Sequence, residues 1–197
     1  MGRGAGPRRR AQLVAAAGTV VGRLGVEAMT TRAIAQEAEL PLGLIHYYFK
    51  AKNDILAAVL ADCTERLVLL IGRSTGDTLA DCLRGLLRAV VADQASGEQL
   101  AQLQLTVTLM RNPEMAAHGR EKYDRLLAAL ADRFALADPE LDADREAAAR
   151  LAAVMLVMFD GLLLAAGGLS DQSRVDSLVL DSERAVLAVR ATLSPGA

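Results

Sequence analysis

The chain has 197 residues, 52% of them hydrophobic and 23% charged, with two Cys, no Trp and only 3% aromatic side chains. That is long enough to bury a core without disulfides or metals, and abundant Ala and Leu with few β-branched runs favour an all-α protein. The net charge of −2 excludes a uniformly basic nucleic-acid coat, but residues 1–52 carry eight Lys/Arg against three Asp/Glu, and the remainder 14 against 21, so phosphate attraction is confined to one end.

In chain order, Met1–Gly6 is Gly-rich and expected to be disordered. Pro7 suits a helix start. Leu13, Ala17, Val20 and Leu24, flanked by Val14 and Val21, form a stripe ending near Gly25. Thr30 is placed to N-cap a second helix with Ile34, Ala35 and Ala38 turned inward. Glu39-Leu40-Pro41 makes a turn into a third helix over 42–48. A fourth runs from Lys52 to about Ser74 with Ile55, Leu56, Val59, Leu60, Leu67 and Leu70 as its apolar set. Breaks at Gly76, Gly97, Asn112-Pro113, Asp138-Pro139 and Gly167-Gly168 separate the later helices, about nine in all, with no strand.

Two short helices joined by a tight turn are the requirement of a helix-turn-helix, whose second helix enters the major groove while the first crosses the backbone. Residues 30–38 and 42–48 have the right lengths. Thr30, Thr31, Arg32, Lys50 and Lys52 supply hydroxyls and cations for phosphates, and Tyr47 and Tyr48 suit phosphates or the groove edge. A lysine at a helix start can set its ammonium and the nearby backbone N–H groups against one phosphate. Leu42, Gly43, Leu44, His46 and Tyr47 should face the groove, with Ile45 and Phe49 turned inward. Leu42 and Leu44 offer only apolar contacts, Gly43 permits close backbone approach, and His46 can hydrogen-bond unless it is half-buried among its neighbours. Arg8, Arg9 and Arg10 either follow the DNA backbone or form a solvated tail.

Over roughly residues 8–60 the chain resembles the N-terminal domain of the TetR family of bacterial transcription regulators. The pattern, loosely G…T-x-R-x-I-A-x-x-A-G-V-S-x-G-x-[LI]-Y-x-[HY]-F-x-x-K-x-x-L, is met in register by Gly25, Thr30, Arg32, Ile34, Ala35, Ala38, Gly43, Ile45, Tyr48, Phe49, Lys52 and Ile55. Three positions depart from it: Glu39 stands where the turn has glycine, Pro41 where a Ser/Thr precedes the recognition helix, and His46 where Tyr follows Ile45. The resemblance implies a helix-turn-helix head over residues 7–53, with its motif at about 30–49, on a helical effector-binding and dimerisation body over 54–197. It further implies a homodimer whose two heads reach half-sites about 34–36 Å apart. The expected function is therefore a cytoplasmic, ligand-responsive transcriptional regulator, a repressor released from double-stranded operator DNA by a small molecule. Two alternatives stay open: an activator or architectural DNA binder without effector, and a helical interaction protein that retains the head.

No catalytic constellation is visible in the sequence, which has two histidines and no nucleophile elbow, phosphate loop or metal spacing. The chain reads as a non-enzyme without cofactor or metal. The effector pocket is a family implication; its candidates are Leu103, Gln104, Val107, Met110, Phe134, Met155, Met158 and Phe159, and the paucity of aromatics points to an aliphatic or amphipathic effector. The stripes of the last two helices, Leu151, Val154 and Leu162 with Val175, Val179, Val186 and Val189, are candidates for the dimer interface, an ordinary intrachain core being the alternative. Leu151 to Leu169 approaches the length of a membrane span but contains Asp160, so a helix buried within or between subunits is expected, with no membrane partner. Asp160 is then a hydrogen-bonded interior acid or a ligand counter-charge. Cys63 and Cys82 lack metal spacing and read as small buried residues; a redox pair is the alternative.

Overall fold

A computed structural model of the chain describes residues 5–92, 98–169 and 171–193; the first four residues and the break at Gly97 lie outside these. Among the described residues there are ten helices and no strand: α1 (Ala5–Ala28), α2 (Thr31–Glu37), α3 (Leu42–Tyr48), α4 (Lys52–Arg73), α5 (Leu79–Ala92), α6 (Glu98–Met110), α7 (Ala116–Ala137), α8 (Pro139–Ala143), α9 (Arg145–Gly168) and α10 (Gln172–Thr192). The helix beyond the expected nine is α8. Asp138 caps its start by accepting from the Glu140 amide, Pro139 opens it, and Asp144 at once caps α9 through the Ala147 amide. At the other end α1 begins at Ala5, so Gly6 is helical rather than disordered. The chain divides into two compact units, residues 1–65 with 96–122 and residues 66–95 with 123–197.

In the first unit α1 packs on α2 and α6, and α2 packs on α3. Leu13, Ala17, Val20 and Val21 of α1 are buried with Ile34, Ile45, Phe49, Ile55, Leu60 and Leu105. Leu24, expected in that stripe, is 49% exposed. The helix breaks beside it, because Gly25 has φ 81° and ψ 166°, a conformation essentially restricted to glycine. An added Cβ at Gly25 would meet only an ordinary contact with Gln104 Oε1 at 3.9 Å, so the backbone angle is the constraint. Gly25→Ala is expected to lower stability by about 1–3 kcal/mol, read as a shift in urea midpoint with an unchanged slope.

The turn between α2 and α3 is closed by two backbone bonds, from the Glu39 amide to Gln36 O (3.2 Å) and from the Leu40 amide to Ala35 O (3.0 Å). This is the Schellman pattern, in which the residue after the cap is left-handed. Glu39 does adopt φ 51°, as the sequence implied, at the steric cost that a glycine avoids. The Gln12 side-chain amide donates to Ala38 O at 2.9 Å and ties the end of α2 to α1.

In the second unit α5 and α10 pack on each other and both pack on α9. Phe134, Leu83, Leu87, Leu151, Met155 and Val186 are fully buried there. Glu183, only 5% exposed, receives a bidentate fork from Arg84 at 2.8 and 2.6 Å, the geometry that makes a buried carboxylate tolerable. Arg133 reaches the α4–α5 connection, donating to Ser74 O at 2.9 Å and Gly76 O at 3.1 Å. Cys63 and Cys82 are buried thiols, not joined in a disulfide. Burial pushes the Cys82 thiol up, against the lowering effects of Ser74 and Arg133, which leaves it a poor thiolate.

Arg190 donates to Asp138 at 2.7 Å and to Glu140 at 2.8 Å, joining the last helix to the short α8. The Arg190 hydrogen bonds, aided by the amides of Glu140 and Leu141, hold the Asp138 carboxyl below its ordinary value. A carboxyl lowered on folding stabilises the fold above its unfolded pKa, about 3.9, and loses that contribution as pH falls through the folded value. The urea midpoint of the natural chain should therefore fall below about pH 4 more steeply than that of Asp138→Asn.

Candidate nucleic-acid interface

The outer face of α3 is set by what its inner face buries. Ile45 is 1% and Phe49 5% exposed, and both pack in the first unit's core. That leaves Pro41, Leu42, Gly43, His46 and Tyr47 exposed on the other side. Pro41 sits at the N-cap with no side-chain capping bond, one residue before the first helical turn; its ring fixes φ at −58° without offering a hydroxyl. An added Cβ at Gly43 would meet nothing within 4 Å. Leu44, expected at the groove, and Tyr48, expected at phosphates or the groove edge, are both half-buried and packed on the core. Their spacing puts them between the two faces of a seven-residue helix, and core contact claims their carbons. Of the uncommitted polar groups, His46 is exposed and Tyr47 is 78% exposed, its ring edge-on to Tyr48 with centroids 4.9 Å apart.

The flanks are cationic. Arg8, Arg9, Arg10, Arg32, Lys50 and Lys52 are all exposed, as is Thr30, while Thr31 is half-buried. The Thr30 hydroxyl accepts from the Ala33 amide at 3.2 Å, the expected N-cap. The Arg10 guanidinium lies 5.3 Å from the Phe49 ring centroid, a cation–π placement that ties the start of α1 to the end of the recognition helix. Sequence periodicity does not show this contact, although an aromatic following the helix and an arginine triplet before α1 were its visible ingredients. Lys52 donates to Glu27 O at 3.4 Å and opens α4. The amides of Lys50 and Ala51 already donate to Asp54 Oδ2, at 2.9 and 3.1 Å. Those two N–H groups are therefore taken by the Asp54 carboxylate.

The residues expected in an effector pocket are divided between the two units. Leu103, Gln104, Val107 and Met110 belong to the first unit, where Val107 and Met110 are 50% and 45% exposed on α6. Phe134 and Met155 are buried core of the second unit, with Met158 and Phe159 packed at its edge. The second unit contains a small apolar cavity, open on one side to solvent, lined by Leu67, Leu70, Ile71, Leu86, Leu126, Leu130, Leu156 and Phe159. Phe159 is the one residue shared with the expectation. Leu70, expected in the core, is a partly exposed wall of this cavity.

The residues expected at a dimer interface also need correction. Leu151, Leu162, Val175, Val179 and Val186 are buried within the chain itself, and Val154 and Val189 are half-buried against the same core. The stripes are real, but they close on each other because α9 and α10 pack together. Among the described residues α9 alone is long and apolar enough to cross a membrane, yet Leu151, Ala152, Met155, Leu156 and Leu162 on it are buried within the chain. Ala153, Val157, Gly161 and Leu164 lie exposed along one line of it.

Residues 13–59 match the model of the bacterial regulatory proteins, tetR family, within the segment that carried the resemblance. The chain is 32% identical over 168 residues to the HTH-type transcriptional regulator BetI of Stenotrophomonas maltophilia, covering 82% of this chain and 83% of that one. It is 30% identical over 169 residues to the HTH-type nicotine-responsive transcriptional repressor HdnoR of Paenarthrobacter nicotinovorans, covering 79% and 82%. Among solved structures, Salmonella enterica GusR shares the fold with a TM-score of 0.69 at 21% identity over 93% of this chain and 96% of that one. With the buried Ile45–Phe49 anchor, the capped α2 and the exposed face of α3, these likenesses place the chain in the tetR family of bacterial regulatory proteins, as a DNA-binding transcription regulator.

Proposed function

We propose that the chain is a cytoplasmic, homodimeric repressor that reads operator DNA with the exposed face of α3 and leaves it when a small molecule enters the second unit. The carrying observation is that face: Pro41, Leu42, Gly43, His46 and Tyr47 point away from a core that holds Ile45 and Phe49, inside a rim of exposed Arg and Lys. Apolar side chains and one imidazole can meet thymine methyls and base edges, while Arg32, Lys50 and Lys52 meet phosphates and fix register. The functional division assigned to residues 7–53 and 54–197 is part of this proposal, as is the name of a repressor, which HdnoR bears.

For the dimer, the exposed line on α9 takes the place of the buried stripes. Val157 is 71% and Leu164 55% exposed, with Ala153 and Gly161 between and beside them at helical spacing. Small residues among larger apolar ones let a second helix approach closely, and a second copy of α9 satisfies both sides at once by two-fold symmetry.

Lys52→Ala tests the phosphate role. Removing one ammonium from the rim should weaken binding to every DNA sequence and reduce the slope of log K against log salt by about 1. Fluorescence anisotropy at several salt concentrations reads both; an unchanged slope would remove Lys52 from the interface.

A further inference from the structure

We propose that the leucine-lined cavity of the second unit takes an alkylammonium ligand, a primary amine on an unbranched apolar tail, with Asp160 as its counter-charge. This rests on the ligand-responsive reading above and narrows it to a chemical class.

The cavity walls present hydrocarbon: leucines from α4, α5, α7 and α9, one isoleucine and Phe159. Such a wall holds an alkyl tail but gives it no orientation. Polarity enters at one edge. On α7, Tyr123 stands three residues before Leu126 and seven before Leu130, so the three share one side of the helix. On α9, Asp160 stands four residues after Leu156 and directly after Phe159. The Tyr123 hydroxyl donates to Asp160 Oδ2 at 2.9 Å. This bond therefore joins the two walls about one helical turn, roughly 5 Å, beyond the leucines.

Asp160 is half-buried, and among the described residues no Lys, Arg or His forms a salt bridge with it. The contrast within the same unit is plain: Glu183 has Arg84, and Asp138 has Arg190. Tyr123 cannot supply the missing charge. Burial first, then the adjacent carboxylate, pushes its hydroxyl up to about 12, so it stays a neutral donor and occupies one carboxylate oxygen. A half-buried carboxylate whose hydrogen-bond donor is neutral still has its own charge to balance. An ammonium at the second oxygen supplies both the opposite charge and a charge-assisted hydrogen bond. An anionic tail would meet Asp160 as a like charge, and a neutral alcohol would gain only the apolar wall.

Isothermal titration of the full chain with n-octylammonium chloride, n-octanol and sodium octanoate tests this. The amine should bind about 10–100-fold more tightly than the alcohol, the carboxylate most weakly, and added octanol should weaken apparent amine binding by occupying the same cavity. Asp160→Asn should bring the amine to the level of the alcohol and leave octanol unchanged. Tyr123→Phe, which keeps the charge, should keep the preference for the amine, and it preserves the test if Asp160→Asn does not fold. Equal binding of the three tails overturns the charge assignment and leaves the cavity as a binding site. A preference for the amine that Asp160→Asn leaves untouched, or that Tyr123→Phe abolishes, also overturns that assignment. Absence of binding by both amine and alcohol overturns the site itself. Tight amine binding that does not release DNA sinks the regulatory reading while the ligand site stands.

Discussion

Replacing Gly43 with leucine should leave the fold intact or slightly more stable and weaken specific DNA binding. Gly43 is in the first turn of α3, exposed, and a Cβ there meets nothing within 4 Å. A helical glycine costs roughly 0.5–1 kcal/mol relative to a good helix former, so the urea midpoint should rise or stay level. The same empty space is what the DNA needs. In the proposed docking, Gly43 lies between Leu42 and His46 on the face that enters the groove, and its lack of a side chain lets the helix backbone approach the bases. A four-carbon side chain there holds the helix away and loosens its neighbours' contacts together. The expected loss is about 1–3 kcal/mol of specific affinity, roughly 5–150-fold, with non-specific, salt-driven binding largely kept because the cationic rim is untouched. Anisotropy on specific and scrambled duplexes separates the two effects. A variant that binds its operator as the natural chain does would place α3 in another orientation.

The largest stability effect is expected in the second unit, at Phe134. Its side chain is fully buried and heads the fully buried side chains by volume. It stands among Leu83, Leu87, Leu130, Leu141 and Leu151 in the core where α5, α7, α8 and α9 contribute. Phe134→Ala removes a ring from that packing and should cost about 3–5 kcal/mol, a large fraction of the stability of a chain of this size. Two residues along, Leu136 is 83% exposed; Leu136→Gln should stay within about 0.5 kcal/mol. Equilibrium urea unfolding of the two variants side by side measures the contrast, and similar losses for both would mean that the packing around α7 is wrongly assigned.

The parts of the head that depend on local chemistry were readable in the sequence. Thr30 caps α2 because a hydroxyl three residues before an amide can reach it, and the distance is short enough that tertiary context has little say. Glu39 is left-handed because a turn of that length after Ala38 demands it. Ile45 and Phe49 face inward because a seven-residue helix has one apolar side to bury. Leu24 shows where this reasoning stops: its spacing fits the stripe, but the kink at Gly25 turns it out to solvent.

The body was less readable because its sequence is apolar almost everywhere. On α9 nearly any choice of stripe looks like an interface, and the structure decides by packing α5, α8 and α10 on it, which buries Leu151 and Leu162 and leaves Val157 and Leu164 outside. The cavity escaped for a related reason. The softer and mixed-polarity positions looked like candidates, whereas the walls are mostly ordinary leucines, and a leucine beside empty space has the same spacing as one in a packed core. Asp160 was the legible clue, being the single charge in a long apolar run.

Selection of genomic fragments by the purified protein, followed by sequencing, tests the central claim most directly. A two-fold dimer reading DNA with α3 should enrich a short palindrome whose half-sites are centred about one helical turn apart, about 10–10.5 base pairs or a multiple, and Gly43→Leu should reduce that enrichment. Recovery of fragments in proportion to the input, or of an unpaired motif that Gly43→Leu selects equally well, would contradict it.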